Sequence, residues 1–279
     1  MKVIYSTEAN CYAKFILIEG LNGSGKTTQA KKLTENLKQN GIPAVFNHEP
    51  SAGIFGRIIR QLVDHAQVDS RLLKEAKEAV AQCLEVTNGN PRSQRQFLGL
   101  LLNVLNALGM ARKLSEWEKQ IIFIANRIED IRDNILPNLR KGLWVVQDRY
   151  DISCYSHGMS NDVDFTKLLE LHQRALNNSY LAPDVIFYYW LPIPVALERL
   201  RVSGKIIDFY ENKENLERIE KASREILMFT DENPEPHQAL VKEFKMGQNT
   251  HKVIIINAEP SIEDIGKETW QYVRNTFGI

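Results

Sequence analysis

The sequence GLNGSGKTTQ, residues 20–29, directly follows the apolar run FILIE of residues 15–19. It fits the pattern G-x-x-x-x-G-K-[ST], in which glycines let consecutive backbone N–H groups turn towards phosphate oxygens. The fixed positions are Gly20, Gly25, Lys26 and Thr27. A chance match in a turn before a helix would give the same letters. The strand-like run before the motif and the amphipathic pattern of residues 28–40 after it favour a phosphate-binding loop.

The side chains of this loop have defined chemical uses. Lys26 is long enough to reach the β- and γ-phosphate oxygens of a nucleotide, and the hydroxyl of Thr27 is suited to hold Mg²⁺. The helix that begins here adds the positive end of its dipole. The residues predicted to bind the nucleotide phosphates are Asn22, Gly23, Ser24, Gly25, Lys26, Thr27 and Thr28.

Composition limits the classes of partner. The chain has 279 residues with 35 basic and 35 acidic side chains, so no net charge draws it to nucleic acid or to an anionic membrane. Three cysteines without a CxxC pair, and a start without a secretory pattern, predict a reduced cytoplasmic protein without disulfides. The apolar run of residues 97–110 is shorter than the roughly 20 residues that cross a bilayer. It is expected to form a buried helix or a subunit contact.

Short apolar runs alternate with helical periodicity along the chain. These runs are KFILIE (14–19), IPAVFN (42–47), LWVVQD (143–148), DVIFYYW (184–190) and KVIIIN (252–257). Strands that are apolar on both faces are covered on both faces, which predicts a roughly five-stranded parallel sheet in a three-layer α/β/α fold. We expect a single domain, residues 1–279. In such a sheet ligands bind beyond the carboxyl ends of the strands, where the motifs of this chain fall.

Two uses of a nucleotide are distinguishable in the sequence. A regulatory GTPase would have a DxxG switch where this chain has Asp148-Arg149-Tyr150, and its NKxD motif is matched only imperfectly by residues 212–215. A kinase acting on a phosphorylated acceptor needs cations that hold two phosphate groups together. The candidate arginines are Arg57, Arg60, Arg127, Arg149, Arg199 and Arg201.

Four segments in order carry a family resemblance. They are FILIEGLNGSGKTTQ, HEPSAGIFGRIIR, FIANRIEDIRDNILPNLRKGLWVVQDRYDIS and APDVIFYYW. Over roughly residues 14–60 and 121–220 the chain resembles the thymidylate kinase family of phosphate-loop nucleoside monophosphate kinases. The resemblance implies a phosphate-loop kinase fold and ATP-dependent, Mg²⁺-dependent phosphorylation of a deoxynucleoside monophosphate, dTMP in that family.

The resemblance also implies roles for single residues. Phe123 matches the aromatic residue that stacks on the acceptor base, and Arg127 matches the arginine that reaches the base's exocyclic oxygen or the phosphate. Asn126 lies where the family has Asn or Asp. Arg149 resembles the arginine that clamps phosphate, while Asp148 would orient it or bind Mg²⁺ through water. Core packing of Phe123 and a simple salt bridge between Asp148 and Arg149 are the structural alternatives.

Further positions complete the predicted site. Glu49 matches the family's carboxylate near the metal and the acceptor phosphate, Arg60 is expected to contact that phosphate or solvent, and Ser153 matches the family's serine. The predicted acceptor-binding residues are Glu49, Arg60, Phe123, Asn126, Arg127, Ser153 and His157. The predicted catalytic residues are Lys26, Asp148, Arg149 and Arg201, and the predicted metal site is Thr27 with Asp148.

Several positions depart from the family pattern. Asn22 replaces an Asp of the phosphate loop and cannot supply charge. His48 replaces an Arg, and His157 stands where the family has a Tyr, so the recognition of the sugar is open. In the predicted lid, residues 199–211, Phe209 takes the place of an Arg. Arg199 and Arg201 are expected either to supply the missing donor-phosphate charge or to lie on the surface.

The largest departure is an insertion at about residues 66–118. Helical periodicity on both sides of NGNPRS (88–93) predicts an added helical hairpin, which must bury its apolar face against the body or a second subunit. A smaller extension covers residues 229–250. Because thymidylate kinases are dimers through helices near the insertion, we expect a homodimer.

Two other functions remain open at this stage. The acceptor could be another nucleotide or a nucleoside, although deoxynucleoside kinases favour ERS where this chain has DRY. Alternatively, the altered lid and the insertion could mark a nucleotide-binding regulator without transferase activity. The base preference is not readable from the sequence, because an aromatic platform stacks any base.

Overall fold

The computed structural model describes residues 13–64, 67–86, 92–203, 212–230, 232–246 and 249–279. Within these residues the chain forms two compact units. The first unit comprises Met1–His48, Ile135–Ser160 and Ala182–Ile279, and the second comprises Glu49–Asn134 and Asn161–Leu181. The expectation of a single domain stays a prediction.

The described elements alternate along the chain. The strands are β1 Phe15–Gly20, β2 Ala44–His48, β3 Trp144–Asp148, β4 Val185–Trp190, β5 Leu240–Met246 and β6 Asn249–Asn257. The α-helices are α1 Lys26–Gln39, α2 Ile54–Val63, α3 Ser70–Val86, α4 Arg92–Gly109, α5 Glu116–Asp130, α6 Leu136–Arg140, α7 Asp151–Ser160, α8 Phe165–Leu176, α9 Ile193–Val202, α10 Lys213–Leu227 and α11 Ile262–Phe277. A π-helical turn, Ile131–Ile135, joins α5 to α6, and a 3-10 turn, Asn177–Ser179, follows α8.

The sheet lies in the first unit, with strand order β2-β3-β1-β4-β6-β5. The five strands predicted from the sequence are all present, and they run parallel to one another. A sixth strand, β5, pairs antiparallel with β6 at the edge of the sheet. This strand was not predicted, because its sequence LVKEFKM mixes charged and apolar residues, as strands on a sheet edge do. The predicted phosphate-loop kinase fold is confirmed.

Alternation along β1 sends its side chains to two helical layers. Ile16 and Ile18 join a core cluster that includes Leu33 of α1 and Ile265 of α11. On the opposite face, the ring of Phe15 packs edge-on against Tyr150, just before α7, and α7 in turn packs on α10. A polar side chain at an odd-numbered residue of β1 therefore lies on the face that points towards the start of α7.

The second unit is helical and has its own core. Helix α3 packs on α2 and α4, while α4 also packs on α5 and α8. Leu72 and Ala76 of α3 and Leu101 and Leu105 of α4 are buried in one apolar cluster with Ile122 of α5. Helices α3 and α4 pack on each other, as expected for a helical hairpin, and supply much of the core of the second unit. That they form an insertion at residues 66–118 stays a prediction. The turn between the two helices, residues 87–91, lies outside the described residues.

Some predictions fall on other parts of the chain that are not described. Residues 204–211, which include Phe209 and most of the predicted lid, lie outside the described residues, as does Cys11. The Cys154 side chain is buried. No helix among the described residues is long and apolar enough to span a bilayer.

Candidate functional site

The phosphate loop connects β1 to α1 and has the backbone that its glycines predict. Gly25 caps α1 with φ +83°, and Gly23 has φ +85°. A Cβ atom at Gly23 would lie 2.7 Å from the carbonyl oxygen of Ala196, so this position excludes a side chain for reasons of conformation and space. The Ser24 hydroxyl is buried and has no partner among the described residues. These features leave the start of α1 open to an anion.

Two cations of the first unit meet on one amide oxygen. The Lys26 ammonium group is buried and donates to the Leu21 carbonyl (3.1 Å) and to Oδ1 of Asn22 (3.4 Å). The Arg149 guanidinium donates to the same Oδ1, and its other amino group donates to Oγ of Ser153 (3.1 Å). Arg149 itself has a left-handed backbone, φ +67°. The partners named here are uncharged oxygens, so none of these contacts neutralises the charge of Lys26 or Arg149.

The predicted metal residues touch each other. Parallel pairing of Ile18 with Asp148 brings the end of β3 beside the end of β1. The Thr27 hydroxyl donates to Oδ2 of Asp148 at 2.5 Å, and Oδ1 of the same carboxylate is buried without a partner among the described residues. A hydroxyl next to an unsatisfied carboxylate oxygen is the donor set that Mg²⁺ prefers when phosphates and water complete its shell.

Glu19 is a site residue that the sequence analysis missed. It is 1% exposed, and its Oε1 accepts hydrogen bonds from the backbone N–H groups of Tyr150 (2.8 Å) and Ser153 (3.2 Å) at the start of α7. Its Oε2 accepts from the Ser153 hydroxyl at 2.5 Å. Burial raises the pKa of this carboxyl, against the lowering effect of Ser153 and Arg149. Glu19 therefore fixes the turn that carries Arg149. The signal in the sequence that could have identified it is a glutamate inside an apolar strand.

A small pocket opens beside these groups in the first unit. Its lining includes Asn22, Arg149, Ser153, His157 and Tyr188. Burial, followed by the charges of Arg149 and Lys26, lowers the pKa of His157 to about 3. Its imidazole is therefore neutral at physiological pH and can both donate and accept a hydrogen bond.

The second unit holds a buried ion pair. The Arg127 guanidinium, fully buried, donates from Nε to Oε1 of Glu49 (3.1 Å) and from Nη2 to Oε2 (2.5 Å). Its Nη1 lies 3.5 Å from Nδ1 of His172 on α8, another residue that the sequence analysis missed. Burial and the charge of Arg127 hold the pKa of His172 well below its usual range.

Two further contacts shape the chain between β2 and α2 in the second unit. Oδ1 of Asn126 accepts from the Ser51 backbone N–H (3.0 Å) and hydroxyl (2.8 Å), while Nδ2 of Asn126 is buried without a partner among the described residues. The carboxylate of Glu129 accepts from the N–H groups of Ile54 (2.9 Å) and Phe55 (3.1 Å) and so caps α2. Asn126 thus positions this loop, and its amide retains donor capacity.

The remaining predicted residues are placed as follows. Phe123 is half-buried against the core of the second unit, so part of its ring is core packing and part is accessible. Arg60 is exposed and donates to the carbonyls of Pro50 (2.9 Å) and Ser51 (2.8 Å). Thr28 is exposed on the first turn of α1.

The two arginines at the start of the predicted lid, Arg199 and Arg201, differ in their contacts. Arg199 donates to the carbonyls of Ala258 (2.8 Å) and Glu259 (3.0 Å), and so ties α9 to the segment after β6. Arg201 is exposed and lies 3.8 Å from Glu198. The side chain of Arg201 is therefore more exposed to solvent than that of Arg199. Arg57, also exposed, pairs with Glu75 of α3.

Within each unit the predicted residues cluster. Lys26, Thr27, Asp148 and Arg149 lie together with Asn22 in the first unit, and Glu49, Asn126 and Arg127 lie together in the second. Arg201 forms its ion pair with Glu198 of its own helix, and not with a residue of the cluster of the first unit. That the two clusters serve one reaction stays a prediction.

The comparisons with known proteins agree with this chemistry. The thymidylate kinase family model matches residues 18–88 and 77–237. The chain is 25% identical over 268 residues to a thymidylate kinase of Orientia tsutsugamushi (strain Ikeda), with 95% of each chain covered. It is 26% identical over 251 residues to a probable thymidylate kinase of Thermococcus onnurineus (strain NA1), covering 90% of this chain and 92% of that protein. A thymidylate kinase of Leptospira borgpetersenii is 28% identical over 213 residues, covering 76% and 80%.

Proposed function

Since the family model matches more than half of its length, the chain belongs to the thymidylate kinase family, and we propose that it transfers the γ-phosphoryl group of ATP to dTMP. The observation that carries the proposal is the contact of Thr27 with Asp148 beside the cations Lys26 and Arg149. A triphosphate needs that combination of positive charge and metal-binding oxygens. The product is dTDP, and ADP is released.

The chain's own groups would act by position and charge. Lys26 neutralises the β- and γ-phosphates, and the fork of Arg149 binds oxygens of the transferred group as charge spreads over them. Asn22 and Ser153 hold that fork by uncharged oxygens. The acceptor phosphate attacks in line, so no covalent intermediate on the protein is required. We place Arg201 as an additional cation for the donor phosphates.

The oxygens of Thr27 and Asp148 would hold Mg²⁺. The fit rests on the buried, unpartnered Oδ1 of Asp148 and on the Thr27 hydroxyl next to it. When bound, the ion would supply positive charge that polarises phosphate oxygens. The residues proposed to surround the donor phosphates are Asn22, Gly23, Ser24, Gly25, Lys26, Thr27 and Thr28.

Each unit has residues whose chemistry suits a part of the acceptor. In the first unit, Ser153 and the neutral His157 offer hydrogen bonds suited to sugar hydroxyls. In the second, the accessible part of Phe123 suits a stacked base, and Arg127 and Asn126 supply donors for its carbonyl oxygens. Glu49 orients Arg127. Arg60 is proposed for the acceptor phosphate, which would compete with the loop carbonyls that Arg60 now contacts.

Release of ADP with a panel of acceptors tests the proposal. With ATP and Mg²⁺, we expect turnover with dTMP to exceed turnover with dUMP, dCMP, dGMP and thymidine. Lys26→Ala should bring dTMP turnover to background while the thermal unfolding midpoint changes little. ATP binding without ADP release for any acceptor would refute the kinase assignment and favour a nucleotide-binding regulator. Turnover with thymidine alone would instead make it a nucleoside kinase.

A homodimer is proposed as the working assembly. The inserted helix α4 leaves Leu100 and, directly after the helix, Met110 exposed, at 41% and 77%. Apolar side chains on an added helix are suitable for a subunit contact. Light scattering at micromolar concentration should give twice the mass of one chain, and a monomer would remove this proposal. The cytoplasmic location stays a prediction.

A further inference from the structure

His172 of α8 contacts Arg127, the buried arginine that is proposed to bind the base. Nη1 of Arg127 lies 3.5 Å from Nδ1 of His172, and both side chains are almost inaccessible to solvent, at 0% and 2% for the residues. A guanidinium has donors only, so Nδ1 must be the acceptor and the ring proton must be on Nε2. The two helices pack on each other within the second unit.

The carboxylate of Glu49 already binds another edge of the same guanidinium, through Nε and Nη2. That bidentate pair sets the plane of the fork but does not involve Nη1. The imidazole supplies an acceptor at Nη1 without adding negative charge. A second carboxylate there would give the cluster net negative charge and repel an anionic nucleotide, whereas a cationic group would repel Arg127.

We propose that His172 is a positioning residue for acceptor recognition: its neutral imidazole holds Nη1 of Arg127, so that the guanidinium keeps one orientation towards the nucleoside monophosphate. The inference rests on the proposed function, in which Arg127 contacts the acceptor. Burial and the charge of Arg127 favour the neutral ring that this role needs, because both disfavour imidazolium.

Two substitutions separate positioning from packing. His172→Asn keeps an acceptor oxygen near the position of Nδ1, and His172→Leu keeps the approximate volume but has no acceptor. We expect His172→Leu to raise the KM for dTMP about 10-fold, the usual cost of losing a hydrogen bond to a charged group. His172→Asn should stay within about threefold of wild type, and the KM for ATP should be unchanged in both.

A purely structural role would give another pattern. Both variants would then lower the thermal unfolding midpoint, while the KM for dTMP of the folded enzyme would match wild type. That result, or an equal rise in KM for Asn and Leu, would overturn the inference.

The tautomer of His172 in the wild-type enzyme gives a test that needs no folded Leu variant. In protein labelled with ¹⁵N-histidine, with the His172 signals assigned by their loss in His172→Asn, the shifts should report a neutral ring protonated on Nε2. An imidazolium or an Nδ1–H ring at neutral pH would overturn the inference even if the enzyme phosphorylates dTMP.

Arg127→Met distinguishes the failure of this inference from the failure of the proposed function. If Arg127→Met leaves the KM for dTMP unchanged, Arg127 does not bind the acceptor and the proposed residue role is wrong. If Arg127→Met raises this KM but His172→Leu does not, only the His172 inference fails.

Discussion

Arg149 in the first unit and Arg127 in the second are both assigned to substrate, yet their surroundings differ. Arg149 is held by an amide oxygen and a hydroxyl, and it forms no direct ion pair with any described residue. Arg127 is fully buried against the carboxylate of Glu49. An arginine held by neutral oxygens keeps its charge for an incoming anion, whereas one facing a carboxylate is already compensated.

The difference bears on which part of the acceptor each arginine meets. The sequence left Arg127 with two partners, the exocyclic oxygen of the base or a phosphate. The guanidinium of Arg127 still has directional N–H donors, but its ion pair with Glu49 has little net charge, which suits an uncharged carbonyl oxygen. Arg149, with its charge uncompensated by a direct ion pair, suits phosphate. We therefore propose that Arg127 contacts the base and that Arg149 contacts the transferred group.

The largest expected effect comes from removing the uncompensated charge. Arg149→Ala should lower kcat with dTMP by at least about 10²- to 10³-fold, as for other preorganised groups that stabilise a transition state. The free energy of unfolding should change little, because no direct ion pair is broken. The matched control is Arg174→Ala, since Arg174 is exposed on α8 and pairs with Glu170, which is also exposed. If the kcat of Arg149→Ala is within a few-fold of wild type, Arg149 does not have the proposed role towards the transferred group.

Removing the compensating carboxylate should affect stability instead. Glu49→Gln leaves Arg127 buried without its counter-charge, and breaking such a pair costs about 3–5 kcal/mol of unfolding free energy. Urea denaturation measures this loss. The exposed pair on α8 provides the control, since Glu170→Gln should cost less than about 1 kcal/mol. Equal losses in the two variants would show that burial of the Glu49–Arg127 pair is not the cause.

Glu19 should show a pH dependence of a definite sign. Its pKa is raised above 4.5 by burial, so the folded state binds more protons than the unfolded state in the window above pH 4.5. The stability that the protonated carboxyl contributes is present below that window and is lost as pH rises through the folded pKa. Glu19→Gln removes this titration, so the unfolding free energy of wild type relative to the variant should fall from pH 4.5 upwards.

Kinetics give the companion test for Glu19. Gln has one acceptor oxygen where the carboxylate has two, so the turn that carries Arg149 should loosen. We expect kcat to fall about 10-fold, the effect of one or two lost hydrogen bonds. A pH-independent stability difference would contradict the assigned titration, and an unchanged kcat would contradict the positioning role.

The smallest expected effect is at an exposed helix cap of the second unit. Glu118 and Ser115 form a capping box at the start of α5, and Arg112 and then Ser115 lower the pKa of Glu118 to about 2. Its stabilisation is present above pH 4.5 and is lost as pH falls from about 4.5 to about 2. Glu118→Gln should cost about 0.5–1 kcal/mol at pH 7 by urea denaturation. A cost that grows with acidification would contradict this sign, which is opposite to that of Glu19.

The candidate site was predictable where the signal was local. The phosphate loop, with Thr27, and the five parallel strands follow from patterns of a few neighbouring residues. The place of Asp148 at the carboxyl end of a strand was readable in the same way, but its role was implied only by the family resemblance. Strand β5 escaped because an edge strand lacks the apolar run of a buried one. Glu19 could have been noticed in the sequence as a glutamate in an apolar strand, but its contacts with Tyr150 and Ser153 could not.

The sequence alone determined the fold class, the conformation of the glycine-rich loop and the family, because these depend on backbone conformation and on residues adjacent in the chain. Only the tertiary structure decided which partners hold each cation. Glu49 and Arg127 are 78 positions apart, Asn22 and Arg149 are 127 apart, and Glu19 and the Ser153 hydroxyl are 134 apart. Whether an arginine keeps its charge for a ligand depends on such distant contacts, and burial strengthens them, because water no longer screens the charge.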